Sequence, residues 1–184
     1  MKKILRSIYR TLRDFYQVSL FSTKDGFTFF KGVYETFEQA IEAAPKNKFI
    51  GYDNEELAQE YKDESKVSIK VHTYDYPMLF WLKSIFSQDA LELKVFDFGG
   101  NVGIHFYSYL NYLNYPSDLV WKICEVPAIA LAGKELAKRR ACSNLEFTDC
   151  FKEASGADIF LASGSIQYVK SLAESIENLE KKPS

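Results

Sequence analysis

The stretch Val95-Phe-Asp-Phe-Gly-Gly-Asn-Val-Gly103 has a short apolar run before it and helical spacing after it. Leu91, Leu93, Val95 and Phe96 make the run, broken by Glu92 and Lys94, and Ile104-His105-Phe106-Tyr107-Ser108-Tyr109-Leu110 follows. That order reads as strand, tight glycine turn, helix, the unit with which a parallel α/β sheet opens a crevice at the carboxyl end of a strand. Gly99 and Gly100 can take positive φ in the turn, and Gly103 lets the helix pack closely on the strand. Asp97, at the strand end, can accept hydrogen bonds from the turn or from a ligand's amino group. Asn101 stands where a second spaced glycine of a dinucleotide fingerprint would fall.

A second unit of the same kind strengthens the reading. Val120-Trp-Lys-Ile-Cys-Glu-Val126 is an apolar run ending in an acid, with Glu125 22 residues beyond Gly103. An acid at the end of the second strand, about 20 residues on, is where ribose hydroxyls of a bound nucleoside are held. The alternative is a surface Glu at a strand end beside a structural turn.

Alternation continues outward from these two units. The pattern predicts strands at 95–98, 120–126, 144–147 and 158–162, and helices at 103–113, at 127–140 with Pro127 in its first turn, and from about Ile166 to Glu180. Repeated βα units imply parallel strands with right-handed crossovers, hence an α/β, Rossmann-like sheet of about four core strands. Ahead of it the pattern predicts helices at 37–44, capped by Thr36, at 54–62, and at 77–86, with a strand at 67–71. Phe27–Tyr34 is aromatic-rich. The expected division is a helical N-terminal extension over 1–90 and a Rossmann-like domain over 91–184.

Lys2–Val18 reads as an amphipathic helix, with Ile4, Leu5, Ile8, Leu12 and Phe15 in an apolar stripe and Lys2, Lys3, Arg6, Arg10 and Arg13 carrying charge. Such a helix either packs its apolar side on its own domain or lies on an anionic membrane surface. With 184 residues, 47% of them hydrophobic, the chain can bury a sizeable core. A net charge of −2 gives no global case for nucleic-acid binding. Three cysteines without C-x-x-C spacing argue against a disulfide framework and for a reducing, cytoplasmic setting. No apolar run is long enough to span a bilayer, and two distant histidines among scattered acids form no metal-ligand set.

At these residues the chain resembles class I S-adenosylmethionine-dependent methyltransferases, and more narrowly methyltransferases of bacterial polysaccharide-synthesis settings. The narrower likeness rests on Gly32-Val-Tyr-Glu-Thr-Phe-Glu-Gln-Ala40, Gly51-Tyr-Asp-Asn54, Phe96–Gly103 and Asp158-Ile-Phe-Leu-Ala-Ser-Gly-Ser-Ile-Gln-Tyr168. The resemblance implies S-adenosylmethionine as cofactor. Asp97, Gly99, Gly100, Asn101 and Gly103 would face its methionine part and Glu125 its ribose. Asp149 would meet the adenine amino group, and Ser163 and Gly164 would line the sulfonium side. Asp149 reads equally well as a helix cap, and Ser163-Gly164-Ser165 as a turn capping the next helix through Ser165.

Such methyltransferases build seven strands, so the resemblance implies that strand four is an edge: either this is a C-terminally shortened form, or a partner such as a second copy covers that edge. The implied reaction is methylation of a small or carbohydrate-linked acceptor. His105 and Tyr168 are the candidate catalytic residues, followed by His72 and Tyr74; Asp149 is a further candidate base. Two other readings stay open: a nicotinamide-dependent oxidoreductase, which shares strand, turn and ribose acid, and a non-catalytic binding or scaffold domain.

Overall fold

In the computed structural model of the chain, residues 2–21, 32–44, 52–53, 55–61, 67, 70–87 and 92–183 are described, without the side chains of 2–5, 7–8, 17–18 and 56–57. β1 (Lys94–Phe98) pairs in parallel with β2 (Val120–Cys124) on one side and β4 (Ile159–Ala162) on the other, and β3 (Leu145–Thr148) lies beyond β2. The order β3-β2-β1-β4 is all parallel, as βα alternation with right-handed crossovers requires. Asp97 is level with Ile123 on one neighbour and Leu161 on the other.

Side chains alternate across β1, and the two sheet faces are covered differently. Val95, Trp121, Ile123, Leu145, Phe147 and Leu161 enter the larger core with residues of α4 (Tyr76–Phe86), α5 (Ile104–Tyr109) and α6 (Pro127–Arg139). Phe96, Cys124, Ala154, Ala157 and Leu179 form a smaller one, with Phe98, Phe151 and Phe160 against it. On that second side Lys122 reaches Glu153 at 2.8 Å and Glu146 at 3.2 Å. α6 starts on Pro127, ends on Lys138 and Arg139, and buries Ile129, Ala130, Gly133, Leu136 and Ala137 at helical spacing.

The chain divides into two compact units, Met1–Gly51 and Tyr52–Ser184. The second unit holds the sheet together with the described residues from Tyr52 onward. The first unit holds α1 (Lys2–Phe21) and α2 (Phe37–Ala43). Thr36 caps α2 as expected, its hydroxyl oxygen accepting from the Gln39 N–H at 3.2 Å. The second unit adds α3 (Glu55–Glu60) and the proline-started α4.

Three expectations are corrected. The helix after the glycine turn ends at Tyr109, not 113: the Ser108 hydroxyl bonds back to the Ile104 carbonyl, and Tyr112 and Leu113 both donate to the Tyr109 carbonyl in a turn. The helix expected over 166–180 is two pieces, a 3-10 turn at Ile166–Tyr168 and α7 (Leu172–Glu177). Val169 is extended between them, and Ser171 caps α7 by accepting from Glu174 at 3.2 Å. Of the strand expected at 67–71, Val67, Lys70 and Val71 are in none; Ser68 and Ile69 lie outside the described residues, as does most of the aromatic segment 27–34.

Candidate functional site

The turn after β1 is held from several directions. Gly99 donates its N–H to the Cys124 carbonyl at 2.9 Å and has φ +77°; a β-carbon there would lie 2.9 Å from the Ser165 hydroxyl oxygen. That hydroxyl donates to the Phe98 carbonyl, so the turn after β4 is stapled to the end of β1. Ser165 therefore makes no side-chain cap of its own helix, contrary to one expectation. Gly100 does not take positive φ; Asn101 does, at 56°. Asparagine tolerates that region, and here it also gains a tether: its Nδ2 donates to the Tyr61 hydroxyl at 2.7 Å and its Oδ1 accepts from Val102 at 2.7 Å. Gly100 is needed for space, because a β-carbon there would sit 2.6 Å from Asp97 Cγ. Gly103, at φ +102°, brings the helix start to within a β-carbon's 3.1 Å of Leu145 Cδ2 on β3.

Asp97 is wholly buried. Its Oδ2 accepts from the Trp121 indole N–H at 3.2 Å and lies 3.4 Å from His105 Nδ1. Its Oδ1 has no hydrogen-bond partner among the described residues. A buried carboxylate oxygen without a partner is costly, and it marks a place where a donor is expected. Behind His105 lies a second buried acid. Asp75 accepts from the His72 backbone N–H at 2.7 Å and from the Tyr109 hydroxyl at 3.2 Å, and the Tyr109 ring stacks on His105 at 5.7 Å.

Burial alone would lower the His105 pKa, but the bond to Asp97 and the charges of Asp97 and Asp75 outweigh it, and the net shift is upward from 6.5. A histidine raised in the fold stabilises fully below its unfolded value, and the contribution is lost as pH climbs through the folded one. The melting temperature should therefore fall as pH rises from about 6.5, and His105→Gln should flatten that slope. Equal slopes for the two proteins in a thermal melt series would show that the pair contributes nothing.

Glu125 stands across the turn. Its Oε1 accepts from the Asn101 N–H and its Oε2 from the Val126 N–H, both at 3.0 Å. Burial raises its pKa, the two backbone bonds oppose that, and the net shift is upward. Each oxygen keeps a lone pair for a further donor. Tyr52 is also here, its hydroxyl 3.2 Å from that of Tyr168 and the rings edge-on at 5.4 Å. The bond to Tyr168, burial, and the neighbouring Tyr168, Tyr61 and Glu125 push the Tyr52 phenol up to about 12.

Asp97, Gly99, Gly100, Asn101 and Glu125 are thus brought together by direct contact. Ser163 and Gly164 follow β4; Gly164 has φ +72° and only open space where a side chain would point. Asp149 is exposed past β3 and caps nothing: the cap position of the following 3-10 turn is Cys150, whose N–H goes to the Thr148 hydroxyl at 3.0 Å. His72 and Tyr74 stack on each other at 5.1 Å, both exposed. Among the described residues no group of three or more His, Cys, Asp or Glu could hold a metal ion. A cavity of about 560 Å³ between α3 and α6, lined by Asp53, Ala58, Leu131 and Glu135 among others, shares no lining residue with the crevice. Sequence reasoning missed Trp121, Asp75, Tyr61 and Tyr52, whose roles depend on partners 24 to 116 residues away.

No protein-family profile matches the chain, and no curated protein does. A solved structure that it is similar to is that of the mitomycin 7-O-methyltransferase MmcR, at 21% identity and a TM-score of 0.33. The match covers 48% of this chain and only 27% of that one. What the chain itself establishes is an α/β, Rossmann-like parallel sheet whose central strand ends in a glycine turn, between a buried Asp97 and a half-buried Glu125.

Proposed function

We propose that the crevice at the carboxyl ends of β1, β2 and β4 binds S-adenosylmethionine, and that the chain methylates a small or carbohydrate-linked acceptor. The unpartnered Oδ1 of buried Asp97, beside a turn that Glu125 grips through Asn101, carries this reading. A ligand with an ammonium group at one end and ribose hydroxyls at the other offers donors to both acids. Asp97 would hold the ammonium end, its carboxylate uncrowded because Gly100 has no side chain. Glu125 would take the two ribose hydroxyls on its free lone pairs, prealigned by its two backbone bonds. Ser163 and Gly164 would border the reacting end, and exposed Asp149 the adenine edge. When bound, the cofactor supplies an electrophilic methyl carbon on a positively charged sulfur.

The chain's own contribution is alignment and exclusion of water. His105 is shifted toward its protonated form by Asp97, and Tyr52, at about 12, keeps its phenolic proton at neutral pH. In this scheme both act as hydrogen-bond donors, His105 adding positive charge when protonated, and the acceptor supplies its own nucleophile. The three cysteines are unpaired, which supports a cytoplasmic setting.

Calorimetric titration with S-adenosylhomocysteine, and separately with NAD, tests the reading. Saturable binding of the former is expected, and Glu125→Ala should weaken it about a hundredfold, because two charge-assisted hydrogen bonds together supply about 3 kcal/mol. Binding of NAD alone would replace this reading with a nicotinamide-dependent one. A folded chain that binds neither would point to a non-catalytic domain.

A further inference from the structure

α1 has a cationic side and an apolar side. Tyr9, Leu12, Phe15 and Tyr16 are 62 to 75% exposed. At 100° per residue they fall in one arc of roughly 140°, and Ile4, Leu5 and Ile8 share that arc by position. By position Lys2, Lys3, Arg6, Arg10 and Arg13 fill the adjoining arc of roughly 100°; Asp14, paired with Arg13 at 3.0 Å, is the one acid of residues 2–21. Five bases against one acid give α1 a net charge of +4, while the rest of the chain has 18 bases against 24 acids, net −6.

From this segregation we infer that α1 lies flat on an anionic lipid surface, its tyrosines, Leu12 and Phe15 entering the headgroup boundary and its arginines meeting lipid phosphates. Aromatic and aliphatic residues on one side and Lys/Arg on the other are what an interfacial helix needs. No helix among the described residues is long and apolar enough to cross a membrane, so the contact is peripheral. The charge distribution orients it, because an anionic surface attracts α1 and repels the remainder.

Other occupants fit less well. Nucleic acid would engage the cations but has no use for the apolar arc. For a second copy, Leu5, Ile8, Leu12 and Phe15 follow coiled-coil spacing only until Ser19, and Tyr9 and Tyr16 widen the arc beyond a two-helix seam.

The test is cosedimentation of the full chain with vesicles of phosphatidylcholine containing phosphatidylglycerol, against phosphatidylcholine alone. Binding to the anionic vesicles is expected, weakening as salt rises. Leu12→Glu/Phe15→Glu and Arg6→Glu/Arg10→Glu should each reduce it by about tenfold or more. Their positions are exposed, and melting curves confirm that the variants fold. Three outcomes overturn the inference. The unaltered chain does not bind, at low salt or high; the apolar variant binds as well as the parent; or light scattering shows an oligomer that the apolar variant dissolves while vesicle binding stays the same, which assigns the arc to a second copy.

Discussion

Gly133→Ala lowers the melting temperature by about 4–8 °C, although alanine is the better helix former. In an exposed helix interior the exchange would add about 1 kcal/mol. Gly133 lies in α6 on the side facing β3, and a β-carbon there would press into the Phe147 ring, 2.6 Å from Cζ and 2.7 Å from Cδ1. Phe147 is buried in the larger core and cannot swing away as a flexible chain end would. Overpacking of this kind costs about 1–3 kcal/mol, and the close approach puts it at the upper end, leaving a net loss of about 2 kcal/mol. For a chain of this size each kcal/mol moves the melting point by about 2–4 °C. Phe147→Leu in the alanine background should recover part of the loss. A melting point above that of the parent would show that α6 and β3 are not packed this closely.

Asp97→Asn has the opposite profile: stability holds or rises while affinity for S-adenosylhomocysteine falls about a hundredfold. Asparagine keeps an oxygen for the Trp121 indole N–H, so the core bond at 3.2 Å survives. The negative charge goes, and with it the burden of an unpartnered carboxylate oxygen in a wholly buried position. Replacing a buried charge by a neutral group of like shape is neutral or stabilising by about 1–2 kcal/mol, less here because His105 loses its partner. In the proposed complex the same charge faces an ammonium group, and losing a charge-assisted bond there costs about 3 kcal/mol, or a hundredfold. Calorimetry and thermal melts on one preparation separate the two effects. Parental affinity in the Asp97→Asn variant would remove Asp97 from the site.

The sheet was legible because burial writes itself into short apolar runs, and all four runs became strands within a residue or two. The glycine turn and the acid after the second strand were legible by spacing. Tertiary contact was not. The helix after the turn stops early because Ser108 bonds back to Ile104, and the last helix breaks at Val169, neither of which disturbs an apolar period. Asn101 looked like a missing glycine, yet it takes the left-handed backbone itself and holds Tyr61, a residue 40 positions earlier. The pairing of Asp97 with Trp121, and of Asp75 with Tyr109, joins residues 24 and 34 apart with no local signal.

The strand order sets a timetable for the chain as it is made. β1 is central in the finished sheet, yet β3, β2 and β1 can assemble while one side of β1 is still bare, because its other neighbour is β4. About 60 further residues must leave the ribosome after Phe98 before β4 is available, a delay of about 3–12 seconds at ordinary rates of synthesis. Through that interval the backbone of β1 is an open edge, the state in which strands pair with the wrong partner. The arrival of β4 also delivers Ser165 to the Phe98 carbonyl and against Gly99. The glycine turn after β1 therefore gains its Ser165 staple only once β4 is in place.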